Sequence, residues 1–139
     1  SHIEDCEIHE NCVVGPFARI RGDSVLGKES KIGNFVEIKK SNLDKNVKVN
    51  HLSYIGDSEI GTSTNIGAGT ITCNYDGHNK NKTIIGKNSF IGSNSTIIAP
   101  IKIGDKVILG AGSVFNQDVP SDSLSIGRAR QIIKDKKKS

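Results

Sequence analysis

One histidine of this chain has chemically capable neighbours. His51 stands in the stretch Val49–Gly77, VNHLSYIGDSEIGTSTNIGAGTITCNYDG, with Tyr54 three residues on, several asparagines, and an Asn-Tyr-Asp-Gly turn at the end. An imidazole exchanges its proton near neutral pH, so it can take one from an attacking nucleophile without strong tuning. Glu37 lies fourteen residues earlier, about one turn of the repeat described below. It is the carboxylate expected to fix the ring's tautomer and support its charged form. His2, His9 and His78 lack such company. A lone histidine in a strand is more often structural, and only these neighbours single out His51.

Cations form the second set: Arg21, Lys39, Lys40, Lys80 and Lys82. Arg21 and Lys39 are eighteen residues apart. Stacked one above the other they would clamp a phosphate, Arg through a bidentate fork and Lys as a point charge. A solvated charged face is the plainer alternative. The segments IGAG (66–69) and LGAG (109–112) invite comparison with phosphate loops, but no Lys-Ser/Thr follows either one. Ala68 and Ala111 instead leave backbone N–H and C=O groups uncovered, where an extended ligand could lie.

The elements that must position these groups follow from a six-residue beat. Val14, Ile20, Leu26, Ile32 and Ile38 are spaced by six, as are Ile60 and Ile66, and then Ile85, Ile91, Ile97, Ile103, Leu109 and Phe115. Gly often follows the aliphatic, and a small or β-branched residue comes four places after it. Neither a helical nor a two-residue period produces this spacing. It suits a short strand plus a tight corner, with one aliphatic pointing inward and Gly supplying the corner's backbone angles. Three such sides close a coil of about eighteen residues, and stacked coils pair edge to edge about 4.8 Å apart. The expected fold is all-β, a solenoid of about seven coils, each of three short strands.

Composition agrees with that design. Aromatics are only 4% and Met and Trp are absent, so the core must come from regularly placed Ile, Val and Leu. The +4 charge gathers in the tail (Arg128, Arg130, Lys134, Lys136, Lys137, Lys138) without an aromatic-rich basic face, so nucleic acid is not the expected partner. No apolar run is long enough for a membrane span, and none is expected. Cys6, Cys12 and Cys73 are odd in number and form no CxxC pair, which fits a reduced cytoplasmic setting and no metal site.

The beat breaks twice. It slips between Ile38 and Ile60, within LDKNVKVNHLSY, and between Ile66 and Ile85, within TCNYDGHNKNKT. The second break is polar and carries Asp-Gly, and it reads as a loop near 72–84 expelled from a coil. The repeat ends at Val119-Pro120. The expected organisation is therefore a solenoid over 1–119 and a tail over 120–139, with one last short strand at Leu124–Ile126.

The segments GPFARIR (15–21), GNFVEIKK (33–40), HLSYIGD (51–57), NIGAGTITCNYDG (65–77), KTIIG (82–86), IGS (91–93) and GRARQ (127–131) carry a resemblance. Together they are similar to the acetyltransferase half of the bacterial bifunctional N-acetylglucosamine-1-phosphate uridyltransferase/glucosamine-1-phosphate N-acetyltransferase family, whose fold is a left-handed parallel β-helix of hexapeptide repeats. The resemblance implies transfer of acetyl from acetyl-CoA to the 2-amino group of glucosamine 1-phosphate, a cytoplasmic step toward UDP-N-acetylglucosamine for peptidoglycan and lipopolysaccharide. It implies His51 as the base, Arg21, Lys39, Tyr54, Asn65 and Lys80 at the sugar phosphate, and Ala68, Asn74, Tyr75, Ser93, Ala111 and Arg128 at acetyl-CoA. It also implies a homotrimer with sites shared between subunits. The nucleotidyltransferase half lies outside this sequence, so uridylyl transfer and its Mg²⁺ are not expected of it. Direct transfer is expected, with backbone or asparagine N–H groups stabilising the oxyanion and Cys73 not serving as an acyl carrier. The alternatives are a hexapeptide acyltransferase with another acceptor, or a non-catalytic scaffold.

Overall fold

The computed structural model describes residues 1–137. Lys138, counted above with the basic tail, lies outside the described residues. Among them, every regular element is a β-strand of two to four residues. The strands make three parallel sheets, the three faces of a solenoid.

The first face stacks seven strands, His2–Ile3, Ala18–Arg21, Val36–Lys39, Tyr54–Gly56, Ile71–Cys73, Thr96–Ile98 and Val114–Phe115. The second stacks six, from Glu7–Ile8 to Ile101–Ile103, and the third seven, from Val13–Val14 to Leu124–Ser125. The chain visits the faces in rotation, so every strand pairs with the strands one coil away. Inward aliphatics form vertical columns. Ile20 stands over Ile38 and Ile55 on the first face. Leu26, Leu43, Ile60, Ile85 and Ile103 line the second, and Ile32, Val49, Ile66, Ile91 and Leu109 the third. All are buried. Like side chains stacked at one coil spacing fill the interior without aromatics, each contributing about 1.5–3 kcal/mol of burial. The small residues four places on, such as Thr70 and Ser95, turn their hydroxyls onto the backbone carbonyls of Gly67 and Gly92.

One expectation needs correction. Except at Gly15 (φ +105°), the glycine after each aliphatic does not supply a left-handed corner. Gly33, Gly67 and Gly92 have ordinary backbone angles, and their role is close approach between coils: a Cβ on Gly67 would lie 2.6 Å from both the Ile91 carbonyl oxygen and the Ser93 nitrogen. The left-handed residue falls later, three places after the aliphatic, at positions such as Asn46, Asn88, Asn94, Gly69 and Gly112. Asn tolerates that conformation better than most residues.

The first break in the beat leaves the core continuous. Leu43, Val49 and Ile55 continue the columns. The phase shifts because two sides, Ile38 to Leu43 and Ile55 to Ile60, are five residues long. On these short sides the left-handed corner comes one place early, at Lys40 (φ 47°) and Asp57 (φ 48°). The second break is the expelled loop, between Ile71–Cys73 and Thr83–Ile85. The last strand is Leu124–Ser125, one residue shorter than expected, and pairs with Ile108–Leu109.

Candidate active site

Functional side chains gather at two corners. One is where the first face turns into the second. Parallel register sets Arg21 against Lys39 and Lys39 against Gly56, so the eighteen-residue spacing does stack the two cations. Both shortened sides turn here, and the expelled loop leaves the coil here.

The cations of this corner are already engaged. Arg21 Nε donates to Glu37 at 2.8 Å, and that hydrogen bond pushes the guanidinium further up from its ordinary value. Lys39 is buried, and its Nζ donates to Asp57 Oδ2 at 3.2 Å. The same oxygen accepts from Asn74 Nδ2 at 2.6 Å, and Nδ2 also donates to the Tyr54 hydroxyl at 3.1 Å. Burial works to raise the Asp57 carboxyl, but the hydrogen bonds from Asn74 and Lys39 hold it below its ordinary value. Lys80 reaches in from the loop, and the adjacent Lys39 ammonium pushes its ammonium below its ordinary value. Three cations (Arg21, Lys39, Lys80) thus face two carboxylates. An added anion would relieve the repulsion between the two lysines.

The loop that presents Lys80 is built to hold its shape. Tyr75 and Lys80 form an antiparallel bridge. Asp76 Oδ1 accepts from the backbone N–H groups of His78 at 2.8 Å and Asn79 at 2.7 Å, and Oδ2 from Asn81 Nδ2 at 3.1 Å. Those three donors hold the Asp76 carboxyl below its ordinary value. The Tyr75 ring is exposed, its hydroxyl donating to the Gly77 carbonyl at 3.0 Å.

The other corner is where the third face turns into the first. His51 ends the strand Lys48–His51 there, with an exposed side chain. Backbone bonds run up this corner coil by coil. Gly69 N donates to His51 O, Asn94 N to Ala68 O and Gly112 N to Ser93 O. Arg128 Nη1 closes the series on the Ala111 carbonyl at 2.7 Å. His51, Ala68, Ser93, Ala111 and Arg128 therefore share one line. Small side chains at 68, 93 and 111 keep it open, and a Cβ on Gly112 would meet nothing within 4 Å. An elongated ligand with phosphates at one end fits this line, its phosphates toward Arg128, whose fork the Ala111 carbonyl steadies.

The expected residues are thus partly united. Arg21, Lys39, Tyr54 and Lys80 meet at the first corner, joined by Asn74, which the resemblance had assigned to acetyl-CoA. Within one chain Glu37 pairs with Arg21, on a different face from the strand of His51. Asn65 lies on the third face beside Lys48 and Phe90, away from the cations. His51 is one full side of the triangle from Lys39. Asp57 and Gly56 are the residues that sequence reasoning missed. Lys39 and Asp57 are eighteen apart, the same spacing that drew attention to Arg21 and Lys39, so a signal for Asp57 was present.

Comparison with known proteins places the chain. A family model described as the hexapeptide repeat of succinyl-transferase matches residues 82–117, and one described as the GMPPB C-terminal domain matches residues 2–75. The chain is 57% identical to the bifunctional protein GlmU of Nitratidesulfovibrio vulgaris over 94% of its own length and 29% of that protein's. It is 58% identical to the GlmU of Rhizobium rhizogenes over 96% and 30%. It spans somewhat under a third of these relatives. Among solved structures, the acetyltransferase domain of PglB from Neisseria gonorrhoeae in complex with acetyl coenzyme A is 25% identical, with a TM-score of 0.66 over 88% of this chain and 55% of that one. PerB from Caulobacter crescentus, in complex with CoA and GDP-perosamine, is 24% identical with a TM-score of 0.66 over 91% and 55%, a likeness of fold. With the model over residues 2–75 covering more than half of the chain, the chain belongs to the family described as the GMPPB C-terminal domain; it carries a hexapeptide repeat over residues 82–117 and is similar, over nearly its whole length, to a part of GlmU.

Proposed function

We propose that the chain transfers acetyl from acetyl-CoA to the 2-amino group of glucosamine 1-phosphate, giving N-acetylglucosamine 1-phosphate, in the cytoplasm where acetyl-CoA is at hand. The observation that carries this reading is the cation corner. Arg21 and Lys39 stand in register one coil apart and Lys80 is held beside them, with polar Tyr54 and Asn74 packed against them. This is a receptor for one anionic group with hydroxyls next to it. The name of the GlmU relatives and the coenzyme held by the PglB domain support acetyl-CoA as donor.

In this reading, cations binding the phosphate orient the amine, so that binding energy remote from the reaction lowers the barrier. The ammonium first releases one proton to solvent. As the nitrogen lone pair attacks the thioester carbonyl and the C–N bond forms, His51 takes the second proton from that nitrogen; the C–S bond then breaks, and the departing thiolate takes this proton from His51. Asn74 has both N–H groups engaged, so in this reading it is not an oxyanion donor.

The separation of His51 from the cation corner gives a reason for the homotrimer, since a second copy can lay its histidine corner against this one's cations. Exposed Phe17, Phe35 and Leu52, the two rings stacked with centroids 5.7 Å apart, make a suitable apolar contact near the histidine corner.

The test is acetyl-CoA consumption with glucosamine 1-phosphate. His51→Ala should lower kcat by roughly 10²–10⁴-fold. An unchanged rate removes His51 as base, no rate in either protein favours a scaffold, and turnover only with an unrelated amine or alcohol favours another acceptor. Light scattering that gives an active monomer refutes the shared site.

A further inference from the structure

The proposed function leaves one buried charge without a role. Asp57 touches none of the reacting groups in that reading, yet it sits at the centre of the cation corner. Its side chain is 11% exposed, and its Oδ2 accepts from Lys39 Nζ and Asn74 Nδ2 together. Its backbone is stitched both ways, Asp57 N to Lys39 O and Thr83 N to Asp57 O. The left-handed corner falls on Asp57, two places after Ile55 and not three, because the side from Ile55 to Ile60 is one residue short.

Resting on the reading above, we infer that Asp57 is a positioning residue that fixes which face of the Asn74 amide and of the Tyr54 hydroxyl a substrate meets. A carboxylate can only accept, so the Asn74 atom against it must be the nitrogen. With one N–H on Asp57 and the other on the Tyr54 oxygen, the Asn74 side chain has its carbonyl oxygen left to offer. Tyr54, having accepted from Asn74, has its hydrogen left to donate. The pair therefore presents one acceptor and one donor side by side, the complement of a sugar hydroxyl or amino group. Without the carboxylate the amide could turn over; its oxygen would then accept from the Tyr54 hydroxyl, and the pair would present the amide N–H groups and the tyrosine oxygen, with donor and acceptor exchanged. The ionic bond to Lys39 fixes the ammonium in the same act, so one residue aligns the phosphate-binding group and the sugar-reading group.

Gly56 supports this independently. A Cβ there would fall on the Tyr54 hydroxyl and 2.7 Å from Asn74 Nδ2, although Gly56 has no left-handed backbone that requires glycine. Its missing side chain is the space in which Tyr54 and Asn74 meet.

The test is a double-mutant cycle with Asp57→Asn and Asn74→Ala, read as kcat/KM for glucosamine 1-phosphate and as KM for acetyl-CoA. If Asp57 acts through Asn74, each single change lowers kcat/KM at least tenfold, the pair lowers it no further than the worse single, and KM for acetyl-CoA moves less than twofold. Additive losses, or an effect confined to acetyl-CoA, overturn the inference. A second measurement covers failure of Asp57→Asn to fold. In the deuterated wild-type protein, the Asn74 side-chain amide should give two separated, slowly exchanging NMR signals; averaged, fast-exchanging signals overturn the inference. Absence of wild-type turnover overturns the proposed function instead, and the amide signals still decide the orientation of Asn74.

Discussion

Gly56 is the floor on which Tyr54 rests. The tyrosine hydroxyl folds back to where a Cβ on residue 56 would be, and Asn74 closes over the same point. The backbone at 56 is ordinary strand, paired with Lys39, so alanine would meet no conformational penalty and the conflict is one of space alone. Gly56→Ala should therefore cost about 1–3 kcal/mol of stability through overpacking and at least tenfold in kcat/KM for the sugar phosphate. The same change at exposed Gly77, where a Cβ meets nothing but φ is +98°, should cost stability through backbone strain and not through space. Parallel unfolding and turnover measurements separate the two effects.

The Asp57 carboxyl makes stability depend on pH in a defined direction. Held in the folded state below its unfolded value of about 3.9, it contributes stability that is fully present above that value. The contribution is lost as the pH falls through the folded value. The stability difference between wild type and Asp57→Asn should thus be constant from pH 7 down to about 5, on the order of 1–3 kcal/mol for hydrogen bonds to a charged group. It should shrink below about pH 4. Denaturant unfolding of both proteins at pH 7, 5 and 3 checks this, since every other carboxylate is common to the two. A difference that grows on acidification would mean that Asp57 is not ionised against Lys39.

Much of this was legible in the sequence, for a physical reason. A solenoid repeats its geometry, so spacing in the chain becomes distance in space, and Ile20, Ile38 and Arg21, Lys39 could be stacked before any coordinates. Legibility failed where the repeat changes length. The five-residue sides moved Leu43, Val49 and Ile55 off the beat, and a continuous core looked interrupted. Side-chain partners were the other loss: fourteen residues suggested that Glu37 reaches His51, whereas the strands put it beside Arg21. Asn74 and Asp57 meet only because the loop leaves the coil at the corner where the short side turns, a coincidence that neither segment announces alone.

The glycines divide into two kinds with different costs. A Cβ on Gly33 would collide with the carbonyl of Asn50, 2.6 Å from its carbon and closer still to its oxygen. Both atoms are backbone and cannot move without separating coils. Gly112 has open space but φ +69°. Gly33→Ala should then destabilise by several kcal/mol, in the upper range for single substitutions, and Gly112→Ala by only about 1–2 kcal/mol of left-handed strain. Equal costs would mean that backbone conformation, rather than coil spacing, selects glycine after the inward aliphatic.

Cys73 tests whether the acetyl group passes directly. It ends the strand Ile71–Cys73, half-buried, immediately before Asn74, so it is the thiol nearest in sequence to the cation corner. A relay through it would form a thioester on Sγ, release CoA before the sugar binds, and give ping-pong kinetics. The proposed arrangement needs no relay, because the coenzyme line begins at His51 itself and the amine that His51 deprotonates can reach the thioester carbonyl in one step. Cys73→Ser should accordingly keep kcat within about threefold, because serine preserves the strand and removes only the candidate carrier. Intact-mass measurement after mixing the wild-type protein with acetyl-CoA alone should show no added acetyl group. An acetylated wild-type chain, together with an inactive but folded Cys73→Ser protein, would replace direct transfer with a two-step route.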